Sequence, residues 1–206
     1  GPAVARNAGI RLARGSLIAF QDSDDEWLPG KLGKQVRTLL AAGDALAFSY
    51  SSFWHEVNGR QEQIPTSSQI AREGSTSSRL LHGNFIGTPA LVVSRRCLEL
   101  SGAFDESMRS LEDWDLALRL SRVAQAVFVD EPLVLAHDSS LGANSQDAHI
   151  MLASLNTIYS RYAADFLRDR SADAEMHLCM AIECTRGGGV SNWGACVRHS
   201  SLACLR

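Results

Sequence analysis

The spacing of apolar positions switches three times within the first 54 residues, from helical to strand-like, back to helical, and to strand-like again. From residue 3 to 14, Ala, Val, Ile and Leu recur at mixed helical spacing, and Gly15 after Arg14 supplies a C-terminal stop. Residues 16 to 21 form a short continuous apolar run, the pattern of a strand buried on both faces. Pro29 can open the next helix, which carries Leu32, Val36, Leu39 and Leu40 on to Gly43. Ala45 to Trp54 reads as a second, aromatic-rich strand, and Asn58-Gly59 as a tight hairpin turn. Residues 60 to 77 are polar and rich in Ser and Thr, which predicts a mobile loop.

Further on, Ser78 to His82 predicts a short helix and residues 89 to 94 a strand. Arg95 to Ser101 predicts a helix stopped by Gly102, then a loop over 103 to 111. Glu112 to Arg122 predicts a helix with acid in its first turn, where the helix dipole favours it. Residues 126 to 130 and 133 to 136 are extended segments broken by Pro132. After Ser145 the pattern predicts long helices over 146 to 168 and 173 to 185, with Gly187-Gly188-Gly189 as a linker. Alternating strands and helices indicate an α/β layer domain over 1–144, followed by a helical region over 145–206. The pattern opens on a helix, as if a first βαβ half had been cut away.

Composition narrows the functional classes. The 206 residues are 45% hydrophobic and 21% charged, ordinary for a globular domain with a sizeable core. A net charge of -3 lacks the basic footprint of a nucleic-acid binder. No apolar run reaches membrane-spanning length. The five cysteines form no disulfide framework and read as reduced thiols. His177, Cys179, Cys184, Cys196 and His199 follow no common zinc spacing.

The chemistry concentrates in two acidic clusters. Asp22, Asp24, Asp25 and Glu26 follow the first strand at once, where ligands bind in open α/β sheets. One Asp would serve as a helix cap. Four carboxylates exceed that need and call for a cation, with hard oxygen ligands suiting magnesium or manganese. Glu112-Asp113-Trp114-Asp115 opens a helix on which Asp115 and Arg119 are spaced to pair, with Leu116 and Leu120 facing inward. Glu112 and Asp113 then stand beside the preceding loop, as favourable dipole partners or as a general base. His137 at a strand end reads more readily as a surface or packing residue than as a ligand. Arg6-Asn7 reads as a solvated helix face unless a phosphate or base faces Arg6. No nucleophile elbow, P-loop or dinucleotide fingerprint occurs.

The ordered set resembles the family 2 glycosyltransferases of the GT-A fold. It begins at Ala5-Arg6-Asn7-Ala8-Gly9-Ile10 and Ala13-Arg14-Gly15, then Ile18-Ala19-Phe20-Gln21-Asp22-Ser23-Asp24-Asp25, Trp27, Pro29, Lys31-Leu32 and Gln35. It resumes at Gly102-Ala103-Phe104-Asp105-Glu106, Glu112-Asp113-Trp114-Asp115-Leu116 and Leu118-Arg119-Leu120, with His137 beyond. The resemblance implies a GT-A-like, Rossmann-like mixed sheet flanked by helices, lacking its first βαβ half. It also implies transfer of a sugar, with inversion, from a nucleotide-sugar donor to a sugar, lipid-linked or protein acceptor, as in cell-surface polysaccharide biosynthesis. Arg6, Asp22, Ser23 and Asp24 would bind the donor. Asp24 and His137 would hold Mg2+ or Mn2+. Asp113 would be the base, with Glu112 beside it and Trp114 and Phe104 excluding water. The family's usual start, a strand ending in acidic residues that hold the nucleotide base, is missing before Gly1. That predicts weak donor binding and an exposed sheet edge. The implied setting is cytoplasmic, at the inner face of the membrane, with the helical tail able to associate peripherally.

Two other classes compete. Phosphoryl transfer of the haloacid-dehalogenase type wants Thr or Val where Glu26 stands. An inactive relic or partner-binding module on the same fold is the non-enzymatic alternative. An EF-hand fails because Trp27 takes the place of the turn glycine.

Overall fold

A computed structural model describes residues 1–43, 46–57, 59–137 and 147–186. They fall into two compact units, Gly1–Glu106 with Asp113–Ser139, and Ser107–Glu112 with Ser140–Arg206.

The first unit is a mixed sheet with flanking helices. Helix α1 (Pro2–Leu12) leads into β1 (Leu17–Ala19), the acidic turn, β2 (Glu26–Trp27) and α2 (Lys31–Ala42). Then come β3 (Ala47–Val57), β4 (Arg60–Ile64), α3 (Ser67–Ala71), α4 (Thr76–Leu80), a 3-10 turn at Thr88–Ala90, β5 (Leu91–Ser94), α5 (Arg95–Ser101), α6 (Glu112–Val123) and β6 (Gln125–His137). Sheet order is β1-β5-β3-β6-β2, with β4 pairing β3 outside that path. Only β3 and β6 run parallel. β1 lies at the sheet's edge, where strands are open to pairing.

Phe48, Val93 and Val134 are fully buried in the sheet, and Tyr50 stacks on Phe128 at 4.9 Å between centroids. Helix α6 is buried on most of its faces: Leu116, Ala117, Leu118 and Leu120 are each at most 1% exposed. Its apolar face belongs to the core, so its acidic N-terminus is rigidly delivered.

Several expectations need correcting. Residues 60 to 77 are not one loop but β4, α3 and the start of α4. β4 (Arg-Gln-Glu-Gln-Ile) is held by backbone pairing to the end of β3, which side-chain polarity does not betray. α3 carries a Thr66/Gln69 capping box, and Ser75 caps α4, so that helix starts two residues before the expected Ser78. The two segments around Pro132 form one strand. Pro132 sits opposite Ser52, where the β3–β6 register shifts, and a bulge tolerates its missing N–H. β2 was not foreseen; two residues of pairing carry no period.

In the second unit the expected 146–168 helix is two, α7 (Ala148–Arg161) and α8 (Ala163–Arg168), parted at Tyr162 with φ -117. α9 (Arg170–Arg186) starts before the expected 173. Asn58, the Gly187–Gly189 linker, Cys196 and His199 lie outside the described residues.

Candidate functional site

The acidic turn is built by its own side chains. Asp25 N–H donates to Asp22 O at 3.3 Å, and Gln21 Nε2 reaches both Asp22 O (3.0 Å) and Asp25 O (2.6 Å). Arg6 Nη2, from α1, donates to both carboxylate oxygens of Asp22 at 2.9 Å. The Arg6 guanidinium also lies 5.4 Å over the Phe104 ring, which meets Phe20 edge-on at 5.3 Å. Arg6 is thus an ion-pair partner and not the solvated residue that the bland reading expects.

On the other side, β2–β6 pairing sets Glu26 opposite Leu135 and brings His137 to the turn. The His137 N–H donates to Asp25 Oδ1 at 3.1 Å, and its Nε2 lies 3.4 Å from Glu26 Oε1. Burial pushes the Asp25 carboxyl from 3.8 up to about 6, opposed by the His137 N–H and reinforced by Asp22 and Asp24. Ser23 and Asp24 are exposed. The structure therefore gathers Arg6 with Asp22, and His137 with Asp25 and Glu26. Among the described residues no three His, Cys, Asp or Glu side chains form a ready metal cluster.

This arrangement has a pH consequence. The folded chain keeps a proton on Asp25 that the unfolded chain has already lost, so this group's stabilisation is complete below about pH 4. It is lost as pH rises to about 6. Without divalent ions, wild type should lose melting temperature across that window and Asp25→Asn should lose less. Equal slopes would contradict the assignment.

α1 is anchored at two points. Asn7, 6% exposed, donates to Phe104 O and Glu106 Oε1 (both 2.9 Å) and accepts from Phe104 N–H at 3.0 Å. Arg95 fans onto Ile10 O in the last turn of the helix at 3.3 Å and, just beyond its end, onto Ala13 O and Gly15 O, the latter at 3.1 Å. Asn7→Ala should lower unfolding free energy by about 2 kcal/mol, because two buried backbone groups of Phe104 lose their partner. Chemical denaturation measures it, and a loss under about 0.5 kcal/mol would contradict this role.

The motif past the turn is support. Trp27 Nε1 donates to Pro89 O at 3.2 Å and Gln35 Nε2 to Ala90 O at 2.8 Å. Lys31 Nζ lies 4.5 Å over the Trp27 ring; burial lowers its pKa to about 8. Together they tie the acidic turn and α2 to the 88–90 segment.

The second cluster opens α6. Leu111 just before it has φ 60, a left-handed conformation that a leucine rarely adopts and that marks a strained entry. Glu112 is 7% exposed. Asp113 Oδ1 accepts from the Trp114 N–H at 2.8 Å, and Oδ2 from Asn84 Nδ2 at 2.9 Å. Trp114 Nε1 is spent on Leu80 O at 2.7 Å, and Phe104 packs against Phe20 and Arg6. Asp115, fully buried, pairs with Arg119 at 2.8 Å, and Arg119 also donates to Ser101 O and Gly102 O. Asn84 and Asn7 are the residues that sequence reasoning missed. A lone Asn in an apolar or small-residue run carries no spacing signal.

Two grooves are present, one in each unit. In the first, a groove of about 430 Å³ between α1 and β1 is lined by Arg6, Ile10, Ile18, Phe20, Asp22 and Ser23. In the second, one of about 290 Å³ is lined by Met108, Arg109, His149, Ile150 and Ser154, among others. Among the described residues no helix is long and apolar enough to cross a membrane. Cys97, Cys179 and Cys184 take part in no disulfide among the described residues.

Comparison with known proteins gives consistent matches. The family described as "Glycosyl transferase family 2" matches residues 1–98. The amylovoran biosynthesis glycosyltransferase AmsB of Erwinia amylovora is 30% identical over 140 residues, 65% of this chain and 46% of that protein. The succinoglycan biosynthesis protein ExoO of Rhizobium meliloti is 35% identical over 127 residues, 56% of this chain and 36% of that protein. The chain spans less than half the length of the curated relatives it matches. Residues 1-349 of TarS from S. aureus superpose with a TM-score of 0.54 at 16% identity, covering 91% of this chain and 61% of that one. At that identity the likeness concerns the fold alone.

Proposed function

We propose that the intact protein is an inverting transferase of glycosyl transferase family 2, the family that matches residues 1–98. It moves a sugar from a nucleotide-diphosphate sugar to an acceptor hydroxyl with help from a divalent cation. The observation that carries this is the strand-end turn itself, which crowds Asp22, Asp24 and Asp25 together between Arg6 and His137; burial first, and then the charges of Asp22 and Asp24, push the Asp25 carboxyl up to about 6. Such crowding of carboxylates is relieved by a bound cation.

The donor set fits Mg2+ or Mn2+, hard cations that take oxygen ligands. Asp24, exposed at the tip of the turn, and His137, held beside it by Asp25 and Glu26, are the residues that would hold the ion. Bound there, it would neutralise charge developing on the leaving diphosphate. Arg6 fixes Asp22 on the donor side, and Ser23 lies next to both. Asp113 takes the proton of the acceptor hydroxyl as it attacks the anomeric carbon opposite the departing diphosphate, so the configuration inverts. Glu112 lies beside it on the same helix turn.

The names of AmsB and ExoO, which refer to amylovoran and succinoglycan biosynthesis, support a role in polysaccharide assembly; a sugar or lipid-linked saccharide as acceptor, and a reaction at the cytoplasmic face of the membrane, belong to the same proposal. The test is incubation of the intact protein with a panel of nucleotide sugars and saccharide acceptors, reading product configuration by NMR. An inverted linkage formed only with Mg2+ or Mn2+ is expected. A retained linkage, or no transfer with any donor, would contradict the proposal; the latter would favour the binding-module reading.

A further inference from the structure

We propose that Asn84 is the positioning residue for Asp113: its side-chain amide fixes the plane of the carboxylate. The inference rests on the reading of Asp113 as the base.

The geometry is reciprocal. Asn84 Nδ2 donates to Asp113 Oδ2 at 2.9 Å while the Trp114 N–H donates to Oδ1 at 2.8 Å. One donor on each oxygen sets the rotation of the carboxylate about its Cβ–Cγ bond. Asn84 is itself fixed, because its Oδ1 accepts the Ile86 N–H at 3.1 Å. Turning the amide over would face an oxygen to Asp113 and an NH2 to the Ile86 N–H, losing both bonds.

The backbone that carries Asn84 is rigid for visible reasons. Phe85 and Ile86 are 2% and 1% exposed. The Phe85 ring packs on Tyr50 at 5.8 Å, and Arg79 lies 5.0 Å over it. Trp114 Nε1 is tied to Leu80 O, just before this segment, and Trp27 Nε1 to Pro89 O, just after it. The carboxylate and the amide that reads it are therefore held by the same framework.

A neutral donor suits this place. Amide N–H groups favour the ionised carboxylate and so lower its pKa without adding a charge that would compete for the diphosphate. Nearest in sequence to the pair, the charged or titratable residues are Glu112 and Asp115 on α6, the latter paired with Arg119, and Arg79 and His82 on the stretch leading to Asn84.

Two variants separate positioning from folding. Asn84→Ala removes the donor. Asn84→Asp keeps the shape and the acceptor for Ile86 N–H but faces Asp113 with an oxygen. The Asp113 carboxyl, assigned by its loss in Asp113→Asn, is titrated by 13C NMR on the protein alone. Its midpoint should rise by about one pH unit in Asn84→Ala and further in Asn84→Asp. In the intact protein kcat should fall about tenfold with the donor KM unchanged, and the acidic limb of the rate profile should move up with the midpoint. An unmoved Asp113 midpoint in both variants would overturn the proposal. So would lost kcat with an unmoved limb, which is a structural effect only. If Asp113→Asn keeps full turnover, the base assignment fails instead, and the titration still decides whether Asn84 tunes Asp113.

Discussion

Asp113→Asn should lower kcat of the intact protein by about 10²–10⁴-fold, the range that a general base contributes, with little change in the donor KM. The substitution is nearly isosteric. Its amide oxygen still accepts the Trp114 N–H at the start of α6, while its NH2 faces the Asn84 amide and that one bond is lost. What is lost is the group that takes the acceptor's proton as the new bond forms. Leu111, held at φ 60 directly before this turn, is the kind of strained residue found where a side chain must be aimed. Glu112→Gln should act more weakly, since Glu112 has no proton-transfer step in this scheme. Steady-state kinetics with saturating donor read both. Turnover of Asp113→Asn within a factor of two of wild type would remove Asp113 from the chemistry.

The largest expected loss of stability is at Arg119→Ala, about 3 kcal/mol. Asp115 is fully buried and Arg119 is 20% exposed, paired at 2.8 Å. Removing one member of a buried pair leaves an uncompensated charge, and the partial exposure of Arg119 sets the value at the lower end of the usual range. Ser101 O and Gly102 O would lose a donor at the same time. A domain stable by about 5–15 kcal/mol gives up a large share of that. The pair Asp115→Leu with Arg119→Met should recover part of it, because apolar replacements leave no orphaned charge. Urea denaturation of the three proteins decides this. A double variant less stable than Arg119→Ala would show that the pair is not the source.

The parts of this fold that could be read from sequence are those in which one residue pattern repeats. α1, α2, α5 and α6 follow apolar periods, α2 and α5 are closed by Gly43 and Gly102, and the observed bounds of all four lie within a few residues of the expected ones. The family and its layer architecture were legible because many short motifs stand in one order, from Ala5-Arg6-Asn7 to Leu118-Arg119-Leu120. What escaped depends on backbone pairing or on a single polar contact. β4 is polar throughout and is a strand only because the end of β3 offers it hydrogen bonds. β6 passes Pro132 because a bulge in its partnership with β3 absorbs the missing donor. Asn7 lies on what resembles a solvated helix face, and its burial follows from Phe104, 97 residues away.

The acidic turn shows the same division. Its charge density was legible, and so was the pairing of Asp115 with Arg119 four residues on. The contacts that shape it were not: Arg6 turns to Asp22, and His137 to Asp25 and Glu26. Each joins residues 16 or more apart in sequence, across elements whose register only the folded sheet sets.

Titration calorimetry of the intact protein with UDP and other nucleoside diphosphates, with and without Mn2+, tests the central claim most directly. The account predicts binding that requires the metal and falls at least tenfold in Asp24→Asn. Binding that is equally tight without Mn2+, or unchanged in Asp24→Asn, would contradict it.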